Sequence, residues 1–356
     1  MSKLASAVFV AALSITSASG QAWAQAQQST SPSPGPTNPV QTTAARNEAQ
    51  LAKTIVFINS EAKWPDKNGL PGEQVKLRAT GFFVSVPDSR LGKAASFSYL
   101  VTNRHVAMAI ERDENGTCTS LQIESMSLAL NLKASSNGNR LAVAPIDLSQ
   151  VHWYFPQDPA IDLAVTPMAP ADVVDAMGIP SDLFLTSEIL DKQRVAPGDR
   201  VLTAGFFSAF TGLHEIQPIF REGILAMLPD GPMTTTLCEP GNVYLADIHV
   251  IPGNSGSPIF IIPALGMDAG VGLGGVPSTF GLLGVVSGYM YENEDLTLTA
   301  TSTWTGYVSA NSGIAVVVPA EQLMDLLQGP ELQKQRDEQV EQYLSTHPDA
   351  KPQPTQ

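Results

Sequence analysis

The stretch Pro252-Gly253-Asn254-Ser255-Gly256-Ser257-Pro258 decides the interpretation of this 356-residue chain. It predicts a tight turn between two apolar strands that presents one serine hydroxyl. Glycine at position 253 lets the backbone N–H groups of Gly253 and Ser255 converge on one point, where they can hold an oxyanion. A serine hydroxyl is a poor nucleophile unless a base takes its proton. The turn therefore predicts a nucleophile at Ser255, with an ordinary hairpin turn as the alternative.

Two upstream motifs supply a base and a carboxylate. His105 ends one apolar strand, and Asp162 directly precedes another, Leu163-Ala164-Val165. A histidine that is oriented by a carboxylate can accept the serine proton. Taken singly, His105 also fits a core histidine and Asp162 fits a helix cap or a strand-edge residue, while Asp158 is a rival for the carboxylate role. The sequence therefore contains a serine nucleophile, a histidine base and a carboxylate. Their joint occurrence favours a catalytic role over three unrelated structural roles.

The order of these residues separates two classes of hydrolase. An α/β-hydrolase runs serine, acid, histidine, whereas this chain runs His105, Asp162, Ser255, which is the chymotrypsin order. With its Thr-Asn-x-His-Val, Asp-Leu-Ala-Val and Gly-Asn-Ser-Gly-Ser-Pro motifs, the chain resembles trypsin-like serine peptidases over roughly residues 52–328. The resemblance is to the bacterial periplasmic and secreted branch, which includes the high-temperature-requirement proteases and the glutamyl endopeptidases. It implies a triad of these residues, with an oxyanion hole formed by Gly253 and Ser255.

Short apolar runs separated by Gly, Pro, Asp and Asn turns predict an all-β architecture. The resemblance implies two six-stranded antiparallel β-barrels packed side by side, the first carrying His105 and Asp162 and the second Ser255. A C-terminal helix is expected over 320–328, because leucines at 323, 326 and 327 form an apolar stripe. The runs that predict strands include 53–58, 75–86, 97–101, 161–167, 200–206, 220–227, 243–251, 281–289 and 314–318.

Four regions are predicted along the chain. Residues 1–24 have the positive start, apolar run and small-residue cleavage site of a secretory signal peptide. Residues 25–46 are rich in Ser, Pro, Thr and Gln and are expected to form a disordered tether. The peptidase-like domain, 47–328, precedes a charged, solvated helix and a Pro-rich tail over 329–356. No PDZ domain is expected, in contrast to the high-temperature-requirement proteases.

The amino-acid composition and net charge limit the classes of binding partner that we expect. The formal net charge is −14, from 20 basic and 34 acidic residues, which argues against nucleic acid and anionic membranes as partners. No apolar run beyond the signal peptide approaches the roughly 20 residues of a membrane span, so no membrane insertion is expected. The five histidines show no metal-binding spacing, so neither a metal nor another cofactor is expected. We expect an exported protein, periplasmic or extracellular, that acts on protein or peptide substrates; its oligomeric state stays open.

The two cysteines, Cys118 and Cys238, form an even count in a chain expected to be exported. A disulfide between them is favoured over two free thiols, although sequence alone does not give the distance between them. Neither cysteine lies at a turn that would make it a nucleophile.

The resemblance maps a pocket for the residue before the cut bond onto five positions: His249, Val286, Ser287, Gly288 and Gly313. No acidic residue lies among them, so a Lys or Arg side chain would be buried unpaired there. Small or medium apolar residues are the expected preference, and a preference for Glu would depend on His249 alone. The segments 208–215 and 267–279 are predicted surface loops without an assigned role.

The leading hypothesis is an exported serine endopeptidase that works through an acyl-enzyme. Two alternatives stay open. One is a catalytically silent binding or scaffold protein on the same fold, with its cleft blocked by an inserted loop. The other is an esterase-like hydrolase.

Overall fold

The structure is a computed structural model that describes residues 9–10, 43–67, 70–91, 95–113, 116–136, 138–262, 280–299 and 303–346. Most of the predicted signal peptide and tether, the 267–279 loop and the Pro-rich tail lie outside these residues. In chain order, the strands are β1 (Phe9–Val10), β2 (Ile55–Lys63), β3 (Gln74–Pro87), β4 (Ser96–Thr102), β5 (Ile110–Arg112), β6 (Cys118–Ser120), β7 (Gln122–Ser136), β8 (Asn139–Pro145), β9 (Ala164–Pro167), β10 (Ala169–Pro170), β11 (Ile179–Pro180), β12 (Arg200–Gly205), β13 (Ile219–Met227), β14 (Met233–Thr234), β15 (Pro240–Gly241), β16 (Tyr244–Asp247), β17 (Pro258–Ile261), β18 (Gly281–Thr299) and β19 (Thr303–Pro319). The helices are α1 (Thr43–Ala52), α2 (Arg104–Ala107), α3 (Ser187–Gln193), α4 (Ala320–Gln328) and α5 (Pro330–Thr346), with short 3₁₀ turns at Ser89–Leu91 and Ser181–Leu183.

The first half of the chain forms a seven-stranded sheet. Its strands follow the order β8-β7-β2-β3-β4-β9, and β11 pairs in parallel with β3. Strand β3 is buried on both faces, since Phe82 and Val84 face one core cluster and Phe83 faces another. This explains the unbroken apolar run in β3, because a strand covered on both sides loses the alternation of apolar and polar residues. The added parallel strand distinguishes this sheet from the six-stranded antiparallel barrel that the resemblance implied.

The second half is a closed antiparallel barrel in the order β12-β13-β16-β19-β18-β17. In its register Val286 of β18 faces Val317 of β19, and both side chains are fully buried. The predicted fold class is confirmed: the protein is mostly β, with a closed six-stranded barrel, a further large sheet and a C-terminal helix.

The hairpin of β18 and β19 is longer than predicted. The apolar runs indicated strands over 281–289 and 314–318, whereas the ladder continues to the pair Thr299 and Thr303. The added residues are mainly polar and threonine-rich. Threonine favours extended backbone, but without apolar alternation a hydrophobic pattern does not reveal such a strand.

The C-terminal helices pack on the body of the protein. Helix α4 buries Leu323 and Leu327, as the leucine stripe indicated. Helix α5 was expected to be solvated, but its side chains at a spacing of four residues are buried: Leu332, Arg336 and Val340. The stripe was hidden in the sequence because its middle member is an arginine. Arg336 is accommodated because its guanidinium donates a hydrogen bond of 2.9 Å to the hydroxyl of Tyr99.

At the other end, α1 begins at Thr43, inside the predicted tether, and Leu51 near its end is buried. Helix α1 therefore runs from the predicted tether into the predicted peptidase-like domain, and its end packs in the core. Of the helices in the described ranges, none is both long and apolar enough to cross a membrane.

Candidate active site

His105 is held on the one-turn helix α2, directly after β4. The residue before the helix, Asn103, is fully buried and donates from Nδ2 to the backbone carbonyl oxygen of Asp162 at 2.8 Å. The backbone N–H of His105 donates to Asp162 Oδ1 at 3.0 Å. These two bonds fix the start of the helix against the residue that precedes β9, so the imidazole and the carboxylate approach each other in one orientation.

The imidazole of His105 pairs with Asp162 and not with the rival Asp158. His105 Nδ1 lies 2.7 Å from Asp162 Oδ2, and the Asp162 side chain is 1% exposed. The carboxylate of Asp158 instead accepts the backbone N–H of Ala160 at 2.9 Å, so it caps its own turn. With the Nδ1 proton directed at the carboxylate, the Nε2 atom of His105 carries the free lone pair that a base requires.

Burial and charge act in opposite directions on this pair. Burial disfavours the imidazolium, yet the negative charge and hydrogen bond of Asp162, with a smaller contribution from Glu111, raise the pKa of His105 above its ordinary value. Burial likewise opposes ionisation of Asp162, but His105 and the Ser287 hydroxyl lower the pKa of that carboxyl. Asp162 is therefore held as an anion beside a histidine of increased basicity.

Two hydroxyls from the second half of the chain also reach the carboxylate. Thr236 Oγ1 donates to Asp162 Oδ2 at 2.9 Å, and Ser287 Oγ donates to the same oxygen. Ser287 was expected in the substrate pocket, whereas Thr236 was not predicted at all. Sequence gave no signal for Thr236, because a threonine in a polar loop between Thr235 and Leu237 matches no catalytic motif.

The turn that carries Ser255 is built on two glycines and one amide. Gly253 has φ +100°, and a Cβ at Gly256, φ +84°, would come within 2.0 Å of the Thr80 carbonyl oxygen. The side chain of Asn254 is 2% exposed; it donates to the Phe206 carbonyl oxygen and accepts the Ile251 N–H. These contacts fix the backbone on both sides of the serine.

The predicted oxyanion donors are free of protein acceptors. In the described part of the chain, neither the N–H of Gly253 nor that of Ser255 donates a hydrogen bond to the protein, whereas the neighbouring N–H groups of Asn254 and Gly256 do. A pair of unpaired, adjacent N–H groups beside a serine hydroxyl can stabilise an oxyanion.

The Ser255 hydroxyl bonds a backbone carbonyl oxygen and not the histidine in this structure. Its Oγ donates to the backbone carbonyl oxygen of Ser287 at 3.0 Å, and no hydrogen bond among the described residues joins it to His105. Rotation about one side-chain bond changes this contact. Catalytic hydrogen bonds are often long or unformed without substrate, so this geometry is compatible with a nucleophilic serine.

The residues at the five predicted pocket positions differ in exposure and in the groups that they contact. His249 is exposed, whereas Val286 is completely buried in the barrel core and can shape a pocket only through its backbone. Ser287 is engaged with Asp162, as described above. Gly288 lies against Thr236, since an added Cβ would be 2.7 Å from Thr236 Cγ2, and Gly313, φ +81°, has open space beside it.

The structure joins Cys118 and Cys238 in a disulfide, with the two Cα atoms 6.1 Å apart. The bond connects β6 of the first half to the loop of the second half that carries Thr236. In the described ranges, no three His, Cys, Asp or Glu side chains are grouped in a way that would hold a metal ion.

The 208–215 loop forms one wall of a cavity of about 300 Å³. Arg78 and Phe206 line the opposite side, and Phe210 and Leu213 on the loop are largely exposed. Phe206 also packs against the oxyanion turn, since a Cβ at Gly253 would be 2.5 Å from its ring. The loop and the turn that carries Ser255 therefore share one neighbour, Phe206, which the loop sequence did not indicate.

No family model and no curated protein matches the chain. Among solved structures, the chain is similar to the crystal structure of Deg5, with a TM-score of 0.39 and 16% sequence identity over 70% of this chain and 88% of that chain.

Proposed function

We propose that the protein is an exported serine endopeptidase that cleaves peptide bonds through an acyl-enzyme. The observation that carries the proposal is the buried Asp162 carboxylate on His105 Nδ1, together with the N–H groups of Gly253 and Ser255, which have no acceptor in the described part of the chain. A purely structural histidine and turn would not require a buried anion, an available Nε2 and two free N–H donors around one serine.

In the proposed reaction, the Ser255 hydroxyl leaves the Ser287 carbonyl and rotates toward His105. Nε2 of His105 takes its proton as Oγ attacks the scissile carbonyl carbon. The developing oxyanion accepts hydrogen bonds from the N–H groups of Gly253 and Ser255, and Asp162 stabilises the imidazolium. His105 then protonates the leaving amine, and a water molecule hydrolyses the acyl-enzyme by the same sequence of proton transfers.

The expected specificity is for small or medium apolar residues before the cut bond. The walls formed by the backbone of Val286 and by Gly288 and Gly313 carry no charge, so a cationic side chain would lose its hydration without gaining a partner. Profiling on a peptide library measures this preference. Dominant cleavage after Lys or Arg would contradict it, and dominant cleavage after Glu that is lost in His249→Ala would assign specificity to His249.

A fluorophosphonate probe on the purified protein tests the mechanism. We expect labelling at Ser255, no labelling in Ser255→Ala, and a loss of nearly the same size in His105→Ala, since the triad acts as a unit. Ser257→Ala is the matched control and should label normally. If the protein is labelled, incubation with casein separates the two hydrolases: a peptidase cleaves casein, and an esterase-like hydrolase does not. Absence of labelling in the wild-type protein would favour the silent binding protein instead.

A further inference from the structure

We propose that Thr236 is a positioning residue for the Asp162 carboxylate, presented from the opposite half of the molecule by a loop that the Cys118–Cys238 disulfide holds in place. This inference rests on the proposed function, because it concerns the same His105–Asp162 pair. It assigns a role to a hydroxyl and to a disulfide that the proposed reaction itself does not use.

The first observation is the geometry around Asp162 Oδ2. This oxygen accepts from His105 Nδ1 at 2.7 Å and from Thr236 Oγ1 at 2.9 Å, and it also contacts Ser287 Oγ. Thr236 Oγ1 and Ser287 Oγ are themselves 2.5 Å apart. The carboxylate oxygen and the two hydroxyl oxygens are thus in mutual contact but share only two hydroxyl protons. Each hydroxyl therefore orients the other as well as the carboxylate. Removal of one member leaves the second free to turn away.

The second observation is that the Thr236 side chain is fixed by packing. Its methyl carbon Cγ2 lies where it would be 2.7 Å from a Cβ on Gly288, so only glycine fits beneath it. A threonine is stiff at its first side-chain torsion because it is branched at Cβ. Contact of the methyl group with Gly288 therefore helps to direct the hydroxyl at Asp162.

The third observation is that the loop is attached to the His105 side of the cleft. The loop between β14 and β15 is closed by the Thr235 N–H, which donates to the Glu239 carbonyl oxygen at 2.8 Å. Cys238 in the same loop is bonded to Cys118, whose Sγ lies 3.5 Å from the Thr236 carbonyl oxygen. Cys118 begins β6, which pairs with β5 just after the His105 helix. One covalent link therefore joins the loop of Thr236 to the hairpin beside His105.

The charged groups around the His105–Asp162 pair indicate which property a Thr236 substitution should change, namely the charge that acts on the imidazole. Asp162 and Glu111 act on His105, and Asp162 also acts on Arg104. A hydroxyl that donates to Oδ2 withdraws part of the carboxylate charge from His105 Nδ1. Loss of the Thr236 hydroxyl concentrates that charge on the imidazole and also loosens the carboxylate.

The decisive measurement is the titration of the His105 ring by NMR in the Ser255→Ala protein, which needs no catalysis. We expect Thr236→Val, which keeps the shape and removes the hydroxyl, to raise the pKa of His105. Thr236→Ser, which keeps the hydroxyl, should restore most of the original value. Thr203→Val is the control, because the Thr203 hydroxyl also donates a hydrogen bond, to the Pro258 carbonyl oxygen, but does not contact the pair.

Steady-state kinetics of variants that retain Ser255 give a second readout. We expect Thr236→Val to lower kcat about tenfold with little change in KM, the size expected for losing a hydrogen bond to a charged group. The Cys118→Ser/Cys238→Ser double variant leaves Thr236 in place but frees its loop, so it should change kcat and the His105 titration in the same direction by a smaller amount. It also replaces Thr236→Val if that variant does not fold.

The outcomes separate this inference from the proposed function. An unchanged or lowered His105 pKa in Thr236→Val, or equal shifts in the Val and Ser variants, would overturn the role of Thr236. A raised pKa that serine restores, in a protein whose Ser255 is never labelled by the fluorophosphonate, supports the role of Thr236 in orienting Asp162 and contradicts the peptidase proposal.

Discussion

The backbone N–H of Thr80 donates a hydrogen bond of 2.9 Å to the carbonyl oxygen of Ser255. Thr80 belongs to β3 of the first sheet, whereas Ser255 precedes β17 of the barrel. The Thr80 hydroxyl also donates to the Gly253 carbonyl oxygen at 2.8 Å and accepts the Phe206 N–H at 2.9 Å. The turn that carries Ser255 is therefore held in place by a residue of the other half of the molecule.

Thr80→Val should destabilise the protein and slow labelling of Ser255. The substitution keeps the backbone bond to Ser255 but leaves the buried Gly253 carbonyl and Phe206 N–H without their partner. Each orphaned group costs about 1–3 kcal/mol, so we expect the free energy of unfolding to fall by about 2 kcal/mol or more. Denaturant unfolding and the rate of fluorophosphonate labelling measure the two effects. Thr80→Ser should retain both properties, and equal behaviour of Val and Ser would contradict the assigned hydrogen bonds.

Ser257→Ala should leave the protein as stable as before or more stable. The Ser257 hydroxyl is completely buried and has no hydrogen-bond partner among the described residues. Removal of an unsatisfied buried polar group relieves a desolvation penalty, which we expect to raise the free energy of unfolding by about 1 kcal/mol. A shift in the thermal midpoint measures this. A marked loss of stability would show that the hydroxyl has a partner that this structure does not reveal.

Removal of residues 25–42 should leave turnover unchanged. In digestive trypsin-like enzymes, the residue before the nucleophile is an aspartate that pairs with a newly cut N-terminus, whereas here it is Asn254. The Asn254 amide already bonds the Phe206 carbonyl oxygen and the Ile251 N–H inside the turn. The truncation should stop before α1, because Leu51 is part of the core. Kinetics of the truncated and full-length proteins test the idea, and dependence of activity on one new N-terminus near residue 50 would refute it.

Glu111→Gln should extend activity toward lower pH. His105 acts as a base only when neutral, so kcat/KM falls as the pH drops through its pKa. That pKa is raised above the ordinary value of about 6.5, in part by the charge of Glu111. Neutralising Glu111 removes this contribution and moves the acid limb of the profile to lower pH. Glu188→Gln, on the exposed start of α3, is the control. An unchanged or opposite shift in Glu111→Gln would contradict the coupling.

The location of the strands was predicted well, because it depends on residues close in sequence. His105 and Asp162 lie 57 positions apart, and their pairing was predicted only from the order of the motifs and from the family resemblance. Choice between Asp158 and Asp162 already followed from the apolar strand after Asp162. Thr236 and Glu111 were not predicted, since their positions beside the pair result from the packing of distant segments. No sequence pattern marks a side chain whose role arises only from tertiary contacts.

The predicted substrate-pocket positions show the same limit of sequence-based prediction, because side-chain orientation also depends on tertiary structure. A family pattern assigns His249 to a pocket, yet whether its side chain points inward depends on where β16 ends, and the strand stops at Asp247. Helix α5 is a similar case, because charge alternation suggested a solvated surface while the four-residue spacing of Leu332, Arg336 and Val340 placed one face in the core. Amphipathic spacing was the better guide there than composition.

The contact between Arg336 and Tyr99 spans 237 positions of the chain. During synthesis the first sheet emerges long before the helix that covers Tyr99, and neighbouring Asp337 pairs at 2.7 Å with Arg90 in the 3₁₀ turn that follows β3. The first half therefore lacks its cover until almost the entire polypeptide is available. Since contacts of such long range form late and slowly, we expect a nascent chain to remain incompletely packed until its last helix has docked; under the proposed function, this delay would keep an unfinished peptidase from acting on its surroundings.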